Sequence, residues 1–92
     1  HQAVCKLLLN KGAVLDAKDK FGHTSLHIAS LQGHQDVCRL LLDMRADLEA
    51  KDDNGLTPLH MASHGGSQDT CKLLLNKGAV LDAKDKFGQT PL

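Results

Sequence analysis

The chain has no tryptophan or tyrosine and only two phenylalanines. Stacks of aromatic side chains that hold successive bases of a single strand are therefore missing. There is no surplus of charge either, since eleven Lys and Arg balance eleven Asp and Glu. A strong electrostatic nucleic-acid binder needs a broad basic face, so that class is set aside. No apolar run approaches the roughly 20 residues that cross a bilayer, and no leader-type segment opens the chain. Also absent are a nucleophile elbow, a phosphate-binding glycine loop and a zinc-protease helix motif. The expectation is a soluble protein with no catalytic residues, cofactor or metal, and with no nucleic-acid or membrane partner.

What the chain does have is repetition. Asp52-Asp53-Asn54-Gly55-Leu56-Thr57-Pro58-Leu59-His60-Met61-Ala62 recurs with changes from Asp19 to Ala29 and, cut short, from Asp85 to Leu92. The starting positions 19, 52 and 85 are 33 residues apart, a period that marks a stacked-repeat architecture. The chain divides into a partial repeat 1–18, full repeats 19–51 and 52–84, and a partial repeat 85–92. In such an array stability comes from neighbouring units and not from one closed core.

Cys5, Cys38 and Cys71 obey the same spacing, each in an apolar helical run. Stacked units set equivalent residues too far apart for a disulfide, which needs Cα atoms within about 7 Å. Small buried hydrophobes are the expected role, and reduced thiols suit a cytoplasmic or nuclear setting.

Within a unit the residues predict their own geometry. Asp52-Asp53-Asn54-Gly55 is turn chemistry, in which Asp and Asn bond their own backbone and Gly takes conformations closed to others. The paired carboxylates are expected there as solvated capping groups. Thr57 before Pro58 is a helix cap followed by proline at the first helical position. A short first helix is predicted over about 58–64, ending at Gly65-Gly66, and a second over about 68–76, ending at Gly78. In the first partial unit a helix is predicted over roughly 2–10, stopping at Gly12. Arg45 stands where the other units have Gly12 and Gly78, and is strained if that position needs a positive φ.

This period and wording resemble the ankyrin repeat, along the whole chain. The family's Thr-Pro-Leu-His motif is matched by Thr57-Pro58-Leu59-His60, while Thr24-Ser25-Leu26-His27 has Ser25 for proline. The resemblance implies an all-α repeat solenoid of helix-turn-helix pairs with projecting β-turn or hairpin loops. It implies that Thr57 and His60, and likewise Thr24 and His27, are framework residues. In each pair the histidine would bond the threonine and reach the backbone of a neighbouring unit. It also implies a protein–protein interaction module, gripping its partner with turn tips and the concave face of the first helices. Carried across, that surface is Lys20, Phe21, His23, Leu31, Gln32 and Lys51 in the first full unit. The second full unit gives Asp53, Asn54, Leu56, His64, Gly65 and Lys84, and the last partial unit Lys86, Phe87 and Gln89. Phe21 and Phe87, aromatics at turn tips, are the leading anchor candidates. Lys18, Lys51 and Lys84 form a row that could favour an acidic partner.

Residues 5–26 and 71–92 differ only at His23/Gln89 and Ser25/Pro91. Recent duplication or an engineered, consensus-like array would each produce that. No polar capping repeat closes either end, so one alternative is a scaffold that stacks end to end with copies of itself. Another is a regulatory segment of a larger protein.

Overall fold

A computed structural model describes residues 17–91. The predicted helix over 2–10, Gly12, Cys5 and Leu92 lie outside the described residues. The described residues hold four helices and no strand: α1 (Ser25–Gln32), α2 (Gln35–Asp43), α3 (Pro58–His64) and α4 (Gln68–Asn76). The second and third turns of the repeat thus fold as two helix pairs, α1 with α2 and α3 with α4. Helices of seven to nine residues are too short to persist alone, since about 12–15 residues are marginal in water. Packing holds them: α1 lies against α3 in one layer and α2 against α4 in the next.

The apolar spacing explains which side each helix buries. Leu26 and Ala29 of α1 and Leu59 and Ala62 of α3 meet Val37, Cys38 and Leu41 of α2 and Leu73 and Leu74 of α4 in one cluster. Cys38 is fully enclosed, its Sγ 3.6 Å from the Ser30 hydroxyl, while Cys71 is only partly covered. Burial pushes both thiols above their ordinary range. Both cysteines are free; Cys38 is the small buried hydrophobe expected, whereas Cys71 is only half-buried.

Each first helix begins with a reciprocal cap. Thr24 Oγ1 accepts from the His27 amide at 3.3 Å and Thr57 Oγ1 from the His60 amide at 3.4 Å. α2 and α4 end alike, in a Schellman motif. The amides of Arg45 and Ala46 donate to Leu42 and Leu41, as those of Gly78 and Ala79 donate to Leu75 and Leu74. That motif places its penultimate residue in the left-handed region, and Arg45 is there, at φ 73°. It is the one non-glycine residue with positive φ among the described residues.

Candidate functional site

The turns that carry the candidate residues are built by three aspartates. Asp19 Oδ1 accepts from the amides of Phe21 and His23 at 2.8 and 2.9 Å. Asp52 does the same for Asn54 and Leu56, and Asp85 for Phe87 and Gln89, at 2.8 to 2.9 Å. Each turn closes with a glycine amide donating back to the aspartate carbonyl at 3.0 Å. The His23 amide is the largest influence holding the Asp19 carboxyl below the usual carboxylate range. Such turns leave the next two residues, Lys20-Phe21, Asp53-Asn54 and Lys86-Phe87, at the tips.

Successive turns are stitched together. The Asp53 amide donates to the Phe21 carbonyl at 3.1 Å, and the Lys86 amide to the Asn54 carbonyl at 3.0 Å. Gly22 and Gly55 permit this approach: a Cβ on Gly22 would lie 2.9 Å from the Asp53 nitrogen, and one on Gly55 3.0 Å from the Lys86 nitrogen. From below, buried histidines strap each unit to the next turn. His27 Nε2–H donates to the Leu56 carbonyl at 2.7 Å, and His60 Nε2–H to the Gln89 carbonyl at 3.0 Å. Carbonyls only accept, so the proton sits on Nε2. Nδ1 then accepts from the amide and hydroxyl of Thr24, at 3.1 and 2.9 Å, and from those of Thr57, at 3.0 and 2.8 Å. Burial holds His27 below its ordinary pKa, against the Leu56 carbonyl and the Asp52 charge, which pull it up.

The candidate residues fall into three groups. Lys20, Phe21, Asp53, Asn54, Lys86 and Phe87 occupy the tips and are exposed, with Phe21 at 56% and Phe87 at 69%. Each ring has its lysine ammonium over it, 5.1 Å away for Lys20 and 5.3 Å for Lys86. Leu31, Gln32, His64 and Gly65 are exposed at the ends of α1 and α3, and Lys51, Lys84 and Gln89 are exposed beside the turns. His23 and Leu56 form the third group, half-buried at the base of the turns.

His23 is more than a surface residue. Its Nε2 lies 3.2 Å from Asp52 Oδ2 and its Nδ1 3.4 Å from Asp19 Oδ2, so the ring bridges two turns. It also continues a line of rings from Phe21 at 6.0 Å to His27 at 5.9 Å. The expectation of solvated carboxylates at Asp52-Asp53 needs correction: Asp53 is exposed, but the Asp52 side chain is buried between its own turn and His23. Turn formation accounts for Oδ1 and the neighbouring unit for Oδ2.

Sequence reasoning missed Ile28, which is 43% exposed although its counterpart Met61 is only 6% exposed. Both positions carry a large apolar residue, so the sequence held no signal of the difference. It also missed an open groove of about 390 Å³ lined by Ser63, Gly66, Ser67, Gln68, Cys71, Lys72 and Leu75. The residues at the same places one unit earlier include Ser30 and Cys38, which are fully buried.

Among the described residues no group of three or more His, Cys, Asp or Glu lies together as a metal site, and no helix is long and apolar enough to cross a membrane. No buried side-chain polar atom among them lacks a hydrogen-bond partner. The arrangement offers a stitched row of turns, with lysine–phenylalanine tips on either side of the Asp53-Asn54 tip.

Two family models match the chain, one described as ankyrin repeats (many copies) over residues 26–68 and one as ankyrin repeat over residues 54–86. No curated protein matches it.

Proposed function

The chain belongs to the ankyrin-repeat family, whose members generally serve as protein–protein interaction modules, and from that premise we propose that it grips a protein partner with its turn tips and the exposed ends of its first helices. The observation that carries this reading is the exposure of Phe21 and Phe87 on turns whose backbones are fixed by aspartate side chains and inter-turn hydrogen bonds. A large aromatic held in water on a rigid support buries much area on contact at little entropic cost. Leu31, Gln32, His64, Lys51 and Lys84 extend the surface from the tips along the first helices.

The test is affinity capture with three proteins of equal helicity: the parent, Phe21→Ser/Phe87→Ser, and the second-helix variant Arg39→Ser/Lys72→Ser. A protein retained by the parent and the second-helix variant, but lost by the phenylalanine variant, is the expected result. Retention that survives the phenylalanine changes and fails with the second-helix changes overturns the assignment of the face.

The groove beside Cys71 and the exposure of Ile28 favour a second reading, stacking of copies end to end. The place a copy's full repeat would take against residues 52–84 is already held by the turn from Asp85, through the Lys86 amide on the Asn54 carbonyl and the Gln89 carbonyl on His60 Nε2. The partner-binding reading is therefore preferred.

A further inference from the structure

Resting on that reading of the turn face, we infer that its partner is an extended acidic peptide segment carrying two apolar side chains about six residues apart. Charge is unevenly distributed over the molecule, which the balanced total conceals. On the turn side the described residues carry Lys18, Lys20, Lys51, Lys84 and Lys86, and no ion pair holds any of them. Lys18 Nζ donates to the Lys51 carbonyl at 2.9 Å, a neutral acceptor that leaves its charge uncompensated.

The aspartates on that side are already engaged. Asp19, Asp52 and Asp85 each give Oδ1 to two backbone amides, and the Oδ2 atoms of Asp19 and Asp52 face His23. Asp53 is the tip carboxylate left over. The second helices and the segments after them show the opposite balance. Acidic Asp36, Asp43, Asp47, Glu49, Asp69 and Asp82 outnumber Arg39, Arg45, Lys72 and Lys77. Arg39 is paired with Asp36 at 3.9 Å and Lys77 with Asp43 at 3.8 Å. A dipolar surface of this kind steers an anionic partner to the turn face and away from the other side.

Spacing supplies the rest. Phe21 and Phe87 are two units apart, and packed helices stand about 8–10 Å apart, so the rings are separated by about 20 Å. An extended chain rises about 3.3 Å per residue, which places two apolar anchors about six residues apart. The lysines beside the rings and at Lys51 between them meet the intervening carboxylates. A nucleic acid is the other polyanion to consider. It is disfavoured because two aromatics about 20 Å apart cannot stack successive bases.

The experiment is a selection from a random 12-residue peptide library on the folded chain, followed by anisotropy titrations of the selected peptides. A 12-mer of single-stranded DNA serves as a second anionic probe. Acidic peptides with apolar residues about six apart are expected. Lys51→Glu/Lys84→Glu should weaken them roughly tenfold or more at low salt, and Phe21→Ala/Phe87→Ala should weaken them without changing their salt dependence. Selected peptides that lack acidic residues but are lost in the phenylalanine variant overturn the acidic-partner inference and leave the turn face standing. Peptides indifferent to both variants, or no selected peptides at all, overturn both. DNA binding as tight as the peptides and equally sensitive to the lysine changes assigns the face to nucleic acid and overturns the peptide.

Discussion

The two helix pairs share a framework and differ at its edges, and the differences separate what the fold requires from what it tolerates. Thr24 and His27 reproduce the contacts of Thr57 and His60 to within about 0.3 Å, although serine follows one threonine and proline the other. The cap and the strap are therefore set by the Thr–His pair, with Pro58 an added preference for φ. The second helices start differently: Ser67 caps α4 through the Thr70 amide, whereas His34 makes no such side-chain cap for α2. α2 forms all the same, with Val37, Cys38 and Leu41 buried. Tertiary burial outweighs a missing cap, which is worth about 1 kcal/mol.

The sharpest break of the comparison is to remove a strap. His27→Ala leaves the Thr24 amide and the Leu56 carbonyl without partners and opens space in the core. Each unsatisfied buried group costs about 1–3 kcal/mol, so a loss of about 3 kcal/mol or more is expected from urea unfolding followed by helical circular dichroism. His60→Ala should lose less, because Gln89 is exposed where Leu56 is half-buried, and water can serve the freed carbonyl. Equal, small losses of under about 1 kcal/mol would show that the straps do not hold the units together.

Much of this geometry was legible in the residues. The 33-residue period, the Asp-led turns and the Thr-Pro start placed α3 and α4 at the spans they occupy, Pro58–His64 and Gln68–Asn76. These features are local, written within a few residues of each other, and so readable from one unit. What escaped reading depends on the relation between units. His23 is drawn to Asp52 by the stacking distance, not by its own neighbours in sequence. Gly65 looks like an ordinary inter-helix glycine, yet its missing side chain is what admits the Leu31 carbonyl. Ile28 and Met61 occupy the same place in the repeat and differ in exposure; only the packed array distinguishes them. The exposure of the two phenylalanines was likewise open until the turns were stitched in place.

A gentler perturbation of the same straps is acid. His27 is held neutral in the fold, with its pKa below the ordinary value of 6.5. The unfolded chain therefore binds the proton more readily, and unfolding is favoured as pH falls. The contribution is fully present above about pH 7.5, is lost from about 6.5 downward, and levels off once the pH passes the depressed folded value. Burial of the ring sets this, opposed by the Leu56 carbonyl and Asp52 and helped by the His23 and Lys18 charges. Urea midpoints measured between about pH 7.5 and 5.5 should decline for the parent. The decline should be shallower for His27→Gln, which has no proton to gain there. An unchanged slope in that variant would transfer the effect to other groups.

The smallest expected effect uses the one place where the units disagree in backbone chemistry. Arg45 and Gly78 close the same Schellman motif, at φ 73° and 100°, and a side chain pays for the left-handed conformation where glycine does not. The penalty for an L-residue is about 1–2 kcal/mol, offset in part by the greater freedom glycine gives the unfolded chain, about 0.5–1 kcal/mol. Arg45→Gly should therefore raise stability by about 0.5–1 kcal/mol, and Gly78→Arg should lower it by at least as much. No heavy atom lies within 4 Å of a Cβ placed on Gly78, so the reverse change tests the backbone alone. Thermal unfolding of the two single variants and the swapped double variant separates the possibilities. If Arg45→Gly destabilises, the arginine is contributing a contact that outweighs its strained backbone. If the swap restores the parent midpoint, it does not matter which of the two positions carries the glycine, and the two units are energetically equivalent there.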